Sequence, residues 1–263
     1  MFAISRSIQL SRCFLGLRRG FAQSCQPCPR ILAAIDFDKT IVTQDSSLAV
    51  SELLPTKQRK ELQDLIPKTG WLTFIGKVLN SLHSEHKMDS CAVGKHVRSL
   101  SAVPGILRVI RRLARNPEVD LCIVSDSNSF FICEWLKEYA IDHLFAAGVF
   151  TNPACIQTNG EVLVLPYEEQ GHCKLCPSNL CKGAVLKQLI CSGKYYQVIY
   201  VGDSCNDLCA MRKLRTKDVA CIRRGFELYG KLAAHKRDLD CSVLTWSDGH
   251  ELESLLLMPS AAH

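Results

Sequence analysis

Three short, mostly apolar runs of the chain end at acidic or hydroxyl side chains. The runs are ILAAI (31–35), LCIV (121–124) and QVIYV (197–201), and Asp36 and Asp203 follow the first and the third. Apolar runs of this length are typical of strands that are buried on both faces of a parallel sheet. The chain is therefore predicted to form a sheet with acidic residues at its strand ends.

Stretches with apolar residues at helical spacing accompany these runs, at 106–113, 130–139 and 184–190. Alternating strands and helices predict an α/β fold, with a doubly wound, Rossmann-like parallel sheet. Ligands of such sheets bind in a crevice outside the carboxyl ends of the strands. We therefore expect the acidic strand ends to converge on one crevice.

Residues 47–103 interrupt this alternation, and Pro104 and Gly105 mark the return to it. Apolar residues recur within the interruption at helical spacing: Leu62, Leu65, Ile66, Trp71, Leu72, Phe74, Ile75, Val78 and Leu79. This pattern predicts a small helical cap at 47–103, inserted after the first strand. Residues 30–46 and 104–263 would then form the catalytic α/β core.

The amino-terminal stretch has a composition of its own. Residues 1–30 contain five arginines and several serines but no Asp or Glu. An arginine-rich, acid-free segment is typical of a mitochondrial transit peptide, although a disordered extension would have the same composition. We exclude residues 1–29 from the predicted fold and expect a mitochondrial or cytoplasmic location.

Charge and cysteine usage narrow the class of protein. The net charge is +6, but the five amino-terminal arginines account for most of it, and a near-neutral body does not predict nucleic-acid binding. The sequence contains no apolar stretch of the roughly 18 residues that a membrane span requires, so we expect no membrane partner. The 15 cysteines are irregularly spaced, and several, such as Cys122, lie within apolar runs, which favours a reducing compartment. The oligomeric state is left open.

The motif DFDKT (36–40) places two carboxylates at the exit of the first predicted strand. An aspartate can attack phosphorus and form an aspartyl-phosphate, and Mg²⁺ bound by carboxylate oxygens can neutralise the charge of the two anions. A second carboxylate can carry the proton to and from the leaving and attacking oxygens. Asp36 and Asp38 suit these two roles, although the motif alone also fits a turn.

Further polar residues follow the other predicted strands. GDSCND (202–207) offers Asp203 and Asp207 as Mg²⁺ ligands, and SDSN (125–128) offers polar groups and backbone N–H groups for a phosphate. Both segments could instead act only as helix caps. Lys182 begins a predicted helix, where a cation opposes the helix dipole, so it is either a counter-charge for phosphate or a solvated lysine.

The ordered series DFDKT, SDSN, NLCK and GDSCND resembles the four motifs of the haloacid-dehalogenase-type hydrolases. The segments TNPACIQTNGEVLVLPY (151–167), HCKLCPSNLCK (172–182) and TWSDGHELESLL (245–256) resemble a subfamily of these hydrolases. It contains the phosphoethanolamine/phosphocholine phosphatases and pyridoxal-phosphate phosphatase. The resemblance extends over about residues 31–257.

The resemblance implies a Mg²⁺-dependent phosphatase acting on a small phosphorylated metabolite. Asp36 would be the nucleophile, and Asp38 would be the proton donor. The Mg²⁺ ion would be held by the carboxylates of Asp36 and Asp203 and by the main-chain carbonyl of Asp38, with Asp207 in support.

The resemblance also implies substrate contacts. Ser125 and Lys182 would hold the transferring phosphoryl group, and Asp126 would contact the rest of the substrate. The helical cap would exclude water from the site.

One position departs from the family pattern. Members usually have an acid where this chain has Ser47, within TQDSS. Loss of a charged partner removes about 1.5 to 3 kcal/mol per hydrogen bond, which disfavours the ammonium substrates phosphocholine and phosphoethanolamine. A pyridoxal phosphate-type substrate is therefore favoured. The alternatives are the two ammonium substrates, inorganic pyrophosphate, or a catalytically silent binding protein on the same scaffold.

A second candidate metal site lies between 172 and 181. His172, Cys173, Cys176 and Cys181 include the C-x₂-C spacing of zinc sites. Reduced cysteines that pack a loop would show the same pattern, so both interpretations remain open.

Overall fold

The computed structural model describes residues 30–257, so the predicted transit peptide lies outside the described residues. The strands are β1 (Arg30–Ile35), β2 (Val119–Asn128), β3 (Val149–Asn152), β4 (Ala154–Ile156), β5 (Val162–Val164), β6 (Tyr195–Gly202), β7 (Val219–Arg223) and β8 (Ser242–Trp246). The helices are α1 (Ser46–Ser51), α2 (Thr56–Gln63), α3 (Ile66–Ser84), α4 (Ser90–Arg98), α5 (Ile106–Ala114), α6 (Ser129–Glu138), α7 (Lys182–Cys191), α8 (Cys205–Met211), α9 (Glu227–His235) and α10 (Gly249–Leu257). Within 30–257, no helix combines the length and the apolar character needed to span a membrane.

Six strands form one sheet in the order β3-β2-β1-β6-β7-β8, and every neighbouring pair is parallel. The chain steps outward from β1 to β3, then crosses back and continues outward from β6 to β8. The direction of winding therefore reverses between β1 and β6, which is where ligands bind in such sheets. This topology confirms the predicted doubly wound α/β fold.

The three predicted apolar runs form β1, β2 and β6, three adjacent strands among the four inner strands of the sheet. Successive residues of β1 point to opposite faces: Ala33 and Ile35 belong to one buried cluster, and Leu32 and Ala34 belong to another. Both faces of the strand are covered, which is why its sequence is apolar at every position rather than at alternate ones. The outer strands β3 and β8 are less buried and gave no comparable signal in the sequence.

Four helices, α1 to α4, lie between β1 and α5, so the segment predicted to be a helical cap is helical. The chain leaves and re-enters the core through two adjacent connections. Val42 and Ala102 form an antiparallel bridge, and the main-chain N–H of Thr43 donates to the carbonyl of Ser101 at 2.9 Å. The division into domains at 47 and 103 stays a prediction.

A short antiparallel hairpin, β4–β5, packs beside the inserted helices. Asn80 of α3 donates to Glu161 at 3.0 Å, and the N–H of Ser90 donates to the carbonyl of Gly160 at 2.9 Å. Helix α3 is interrupted at Gly70, where φ is +79°, a conformation that glycine adopts without steric cost. The interruption directly precedes Trp71.

The amino ends of strands β1, β2 and β6 are joined through one carboxylate, that of Asp120 on β2. It accepts hydrogen bonds from Arg30 of β1, at 2.9 Å from Nε, and from the hydroxyl of Tyr195 of β6, at 3.2 Å. Lys194 lies 2.8 Å from the same carboxylate. The hydrogen bond from Arg30, followed by that from Lys194, lowers the pKa of Asp120 to about 2, although burial acts against this.

We expect Asp120→Asn to lower the free energy of unfolding by about 1 kcal/mol at pH 7, allowing for screening by solvent around the two basic partners. Because the pKa of Asp120 is depressed in the folded state, this stabilisation is present above about pH 4 and is lost as the pH falls toward 2. Urea unfolding at neutral and acidic pH measures both effects. The exposed Asp240→Asn is the control, and equal stabilities of Asp120→Asn and wild type at pH 7 would contradict the prediction.

Candidate active site

The carboxyl ends of the adjacent strands β1 and β6 bring Asp36 and Asp203 together. The main-chain N–H of Asp36 donates to the carbonyl of Val201 at 2.9 Å, which fixes the residue in register with β6. Asp36 is 2% exposed and Asp203 3% exposed. Carboxylate oxygens of Asp36, Asp203 and Asp207 lie within 4.8 Å of one another. The predicted convergence of acidic strand ends is therefore present.

A fully buried ammonium group lies between two of these carboxylates. Lys182 Nζ is 2.9 Å from Asp36 Oδ2 and 2.8 Å from Asp207 Oδ1. Burial acts to lower the pKa of Lys182, but attraction by Asp207 and Asp36 outweighs it and raises this pKa well above its ordinary value. Lys182 is the first residue of α7, as predicted, and it is charged and enclosed rather than solvated.

Asp207 uses both of its oxygens to organise the site. Oδ1 also accepts from the hydroxyl of Tyr200 at 2.8 Å, and Oδ2 accepts from the main-chain N–H groups of Asp203 at 3.0 Å and Ser204 at 2.9 Å. Ser204 and Asp207 form a capping box at the start of α8. Asp207 thereby fixes the turn that presents Asp203 and the position of Lys182.

The carboxylate of Asp203 accepts fewer hydrogen bonds than that of Asp207. Thr40, the last residue of DFDKT, approaches Oδ1 of Asp203 at 3.4 Å. Burial, followed by repulsion from Asp207, raises the pKa of Asp203 to about 7, and Lys182 opposes this rise. The pKa of Asp36 is also raised well above its ordinary value, by burial first and against the attraction of Lys182.

Asp38 is held in a different environment from Asp36. Its carboxylate accepts from the main-chain N–H of Ser46 at 3.0 Å and from the Ser46 hydroxyl at 3.1 Å. Burial, followed by repulsion from Asp45 and Asp36, raises the pKa of Asp38 well above its ordinary value, although the bonds from Ser46 oppose this. A carboxyl group with a raised pKa can hold a proton near neutral pH.

A pocket of about 410 Å³ opens over these residues. It is lined by Asp36, Asp38, Lys39, Asp45, Ser47, Trp71, Asp126, Leu175, Cys176, Pro177, Asp203, Ser204, Cys205, Asn206 and Glu227. The inserted helices contribute Ser47 at the start of α1 and Trp71 of α3, which is 38% exposed. The surface of the pocket thus contains several acidic side chains and one large aromatic side chain.

The other predicted substrate residues differ in their access to this pocket. Asp126 lines it and accepts from Asn206 Nδ2 at 3.0 Å. Ser125 is fully buried, and its Oγ accepts from the main-chain N–H of Ser127 at 3.4 Å. Ser125 and Lys182 therefore lie behind the lining residues, while Asp126 and Ser47 form part of the open wall.

For several residues of the site, no function was predicted from the sequence. Tyr200 lies in the apolar run of β6, and only the need of a buried hydroxyl for a partner hints at its contact with Asp207. Ser46 binds Asp38 and Thr40 binds Asp203, but serine and threonine near strand ends occur in many turns. Trp71 was predicted only as part of the helical pattern, and its position on the pocket depends on how α3 packs.

Comparison with known proteins adds independent evidence. Residues 31–259 match a family described as Putative Phosphatase. Human pyridoxal phosphate phosphatase PHOSPHO2 is 36% identical over 241 residues, covering 86% of this chain and 97% of the relative. Inorganic pyrophosphatase 2 from Arabidopsis thaliana is 29% identical over 236 residues, covering 86% and 82%.

Solved structures support the same fold. A phosphoserine phosphatase, solved as a phospho-aspartyl intermediate analogue, superposes with a TM-score of 0.58 at 15% identity and covers 88% of this chain and 100% of that structure. The predicted resemblance is confirmed. The chain belongs to the Putative Phosphatase family, as a phosphoric monoester hydrolase of the haloacid-dehalogenase type.

Proposed function

We propose that the chain hydrolyses a small phosphomonoester of the pyridoxal phosphate type, through a phosphorylated Asp36 and with Mg²⁺ as cofactor. The observation that carries this proposal is the position of Lys182, with its Nζ 2.9 Å from Asp36 in a buried cluster that also contains Asp203. A buried lysine favours the ionised form of the nucleophilic carboxylate against the effect of burial, and it can bind an oxygen of the phosphate that this carboxylate attacks.

The donor set of the site suits Mg²⁺. Three buried carboxyl groups lie around one ammonium group, and the raised pKa values of Asp36 and Asp203 reflect a shortage of positive charge around them. A divalent cation would supply that charge and favour the ionised forms of both groups. Six acidic side chains but only one lysine occur among the pocket residues named above, and an anionic substrate would be repelled unless a cation intervened. When bound, Mg²⁺ would neutralise phosphate charge and orient the phosphoryl group. Asp36, Asp203 and the main-chain carbonyl of Asp38 would hold it.

Asp36 would perform the chemistry in two steps. A carboxylate oxygen of Asp36 attacks phosphorus while the bond from phosphorus to the substrate oxygen breaks, and Asp38 gives its proton to that leaving oxygen. Water then attacks the phosphorus of the aspartyl-phosphate while the bond from phosphorus to Asp36 breaks. Asp38 accepts a proton of the water, and the Asp36 carboxylate is restored as inorganic phosphate leaves. The raised pKa of Asp38 supports its role as the proton carrier, and its bonds to Ser46 fix its direction.

Lys182 and Ser125 would bind the phosphoryl oxygens from behind the pocket wall. The contacts of Asp207 support a positioning role, because its oxygens already accept from Lys182, Tyr200 and two main-chain N–H groups. It would support the metal site by orienting Asp203 rather than by offering a free oxygen.

The residues that line the pocket favour an aromatic substrate. Trp71 is partly exposed on the pocket, where an aromatic ring can pack against it, and Ser47 provides no charge for an ammonium group. Asp45 also lines the pocket, but it caps α1 by accepting the N–H of Leu48 and lies 3.8 Å from Lys39. The negative charge of Asp45 therefore already interacts with Lys39 and with the first turn of α1. Phosphocholine, phosphoethanolamine and pyrophosphate remain the alternatives, the last in view of the Arabidopsis relative.

The remaining predictions differ in their support. Membership of a phosphatase family argues against a silent binding protein. A small phosphorylated metabolite is the proposed partner, and the pocket of about 410 Å³ is large enough for one. The mitochondrial or cytoplasmic location stays a prediction, and its mitochondrial alternative is based on the arginines of residues 1–30.

Asp36→Asn tests the covalent step. We expect phosphate release from pyridoxal phosphate with Mg²⁺ to fall below about one thousandth of the wild-type rate, because an amide is not a nucleophile at this site. Acid-quenched wild type should carry a phosphoryl group on the peptide that contains Asp36, detectable by mass spectrometry. Asp240→Asn is the matched control. Turnover that persists in Asp36→Asn, or wild-type turnover that EDTA leaves unchanged, would refute the mechanism.

Trp71→Ala tests the aromatic wall. We expect KM for pyridoxal phosphate to rise by roughly two- to twelvefold with little change in kcat, because stacking contributes about 0.5 to 1.5 kcal/mol. Trp71→Phe should restore most of the affinity, and KM for pyrophosphate should not change. Tyr196→Ala, an exposed aromatic on β6 outside the pocket, is the control. An equal rise for pyrophosphate would show that Trp71 supports the fold of the wall instead.

Ser47→Asp tests the substrate selection. A carboxylate at this position should attract an ammonium group, so kcat/KM for phosphocholine and phosphoethanolamine should rise about tenfold relative to pyridoxal phosphate. Steady-state kinetics on the three substrates measures the ratio, with Ser47→Asn as the uncharged control. An unchanged ratio would mean that Ser47 does not face the substrate.

A further inference from the structure

A cluster of four cysteines lies beside the acidic site. The sulfur atoms of Cys173, Cys176, Cys181 and Cys209 all lie within 4.8 Å of one another, and all four thiols are free. Cys209 Sγ is 3.4 Å from Cys173 Sγ and 3.7 Å from Cys181 Sγ. A tetrahedral zinc ion with Zn–S bonds of about 2.3 Å places its sulfurs about 3.8 Å apart. The cluster therefore has nearly the dimensions of a four-cysteine zinc site.

The fourth ligand is not the one that the sequence predicted. His172 is exposed and takes no part in the cluster, and Cys209 of α8 occupies the remaining corner. Cys209 follows Cys181 by 28 residues, so local spacing could not reveal it. Four thiolates form a closed set, which is typical of a structural zinc site rather than a catalytic one.

The loop that supplies three of these cysteines is held by a buried amide. Gln170 is 9% exposed; its Nε2 lies 3.3 Å from the carbonyl of Cys176 and 2.6 Å from that of Pro177, and its Oε1 accepts the N–H of Cys173 at 2.8 Å. Residues 165–181 contain no helix or strand, yet Cys176 and Cys181 are buried. The loop is thus shaped around the sulfurs without regular secondary structure.

Two helices meet at the cluster. Cys181 is the N-cap residue of α7, and its side chain makes no capping hydrogen bond. A helix N-terminus favours a thiolate there. Cys209 lies in α8, where Gly183 allows close contact, because a Cβ at Gly183 would lie 2.5 Å from Cys209 Sγ. The cluster therefore lies between the first turn of α7 and the middle of α8.

We propose that Cys173, Cys176, Cys181 and Cys209 bind one structural Zn²⁺ ion that joins the loop 165–181 to α7 and α8. Soft thiolates select zinc over Mg²⁺, so this ion is distinct from the cation of the acidic site. Cys181 directly precedes Lys182, and Cys209 is two residues after Asp207. The zinc ion would therefore fix the two helices that bring Lys182 and Asp207 to within 2.8 Å of each other.

Metal content tests the proposal without any assay of phosphate release, so its failure is distinguishable from failure of the proposed function. The full chain, purified under reducing conditions, should contain about one zinc ion per chain, as measured by inductively coupled plasma mass spectrometry. The double variant Cys176→Ser/Cys209→Ser should lose at least about nine tenths of this zinc. Cys91→Ser/Cys155→Ser, which removes two exposed cysteines outside the cluster, should keep it. Wild type without zinc, or equal zinc in both double variants, would overturn the proposal.

A measurement on wild type alone covers the case in which the cluster variant does not fold. Titration with an organic mercurial, in the presence of a chromogenic zinc chelator, should release about one zinc per chain as the cluster thiols react. Cobalt-substituted protein should show the visible absorption of tetrahedral thiolate coordination. No released zinc, or a disulfide between cluster cysteines in protein that lacks metal, would refute the site.

Discussion

The site depends on one buried ammonium group. Lys182 is fully enclosed and touches the carboxylates of Asp36 and Asp207. Each of these charges would be costly to bury alone. Removal of one partner from a buried ion pair leaves the other charge uncompensated and typically lowers the free energy of unfolding by about 3 to 5 kcal/mol. Asp207 in turn accepts bonds from Tyr200 and from the turn that carries Asp203. The positions of α7, α8 and the end of β6 are therefore linked through a single cation.

Much of this arrangement follows from the sequence by a geometric argument. Apolar runs predicted three inner strands, and parallel strands end at one edge of a sheet, so Asp36 and Asp203 were expected at the same edge. The pairing of β1 with β6 in the structure brings them together. The start of α7 at Lys182 and the inserted helices were also evident in the pattern. Family membership confirmed the phosphatase class, while the individual roles of Asp36, Asp38 and Ser125 stay predictions.

Other contacts depend on packing that no local pattern encodes. The hydroxyl of Tyr200 reaches Asp207, Trp71 reaches the pocket wall, and Cys209 completes a cluster whose other members come from a distant loop. Each contact joins elements from separate parts of the chain. The outer strands were missed for a different reason, since their partial exposure allows polar residues and removes the continuous apolar signal.

The bridge between Val42 and Ala102 has a consequence for how such enzymes diversify. Because the chain enters and leaves the inserted helices at neighbouring points, residues between them can be lengthened, shortened or exchanged while both ends keep their places. Asp36 and Asp38 precede Val42 in the chain, whereas Ser47 and Trp71 lie between Val42 and Ala102. Under the proposed function, the chemistry of Asp36 and Asp38 and the substrate contacts of Ser47 and Trp71 belong to separate stretches of the chain, so the inserted helices could change while Asp36 and Asp38 keep their places.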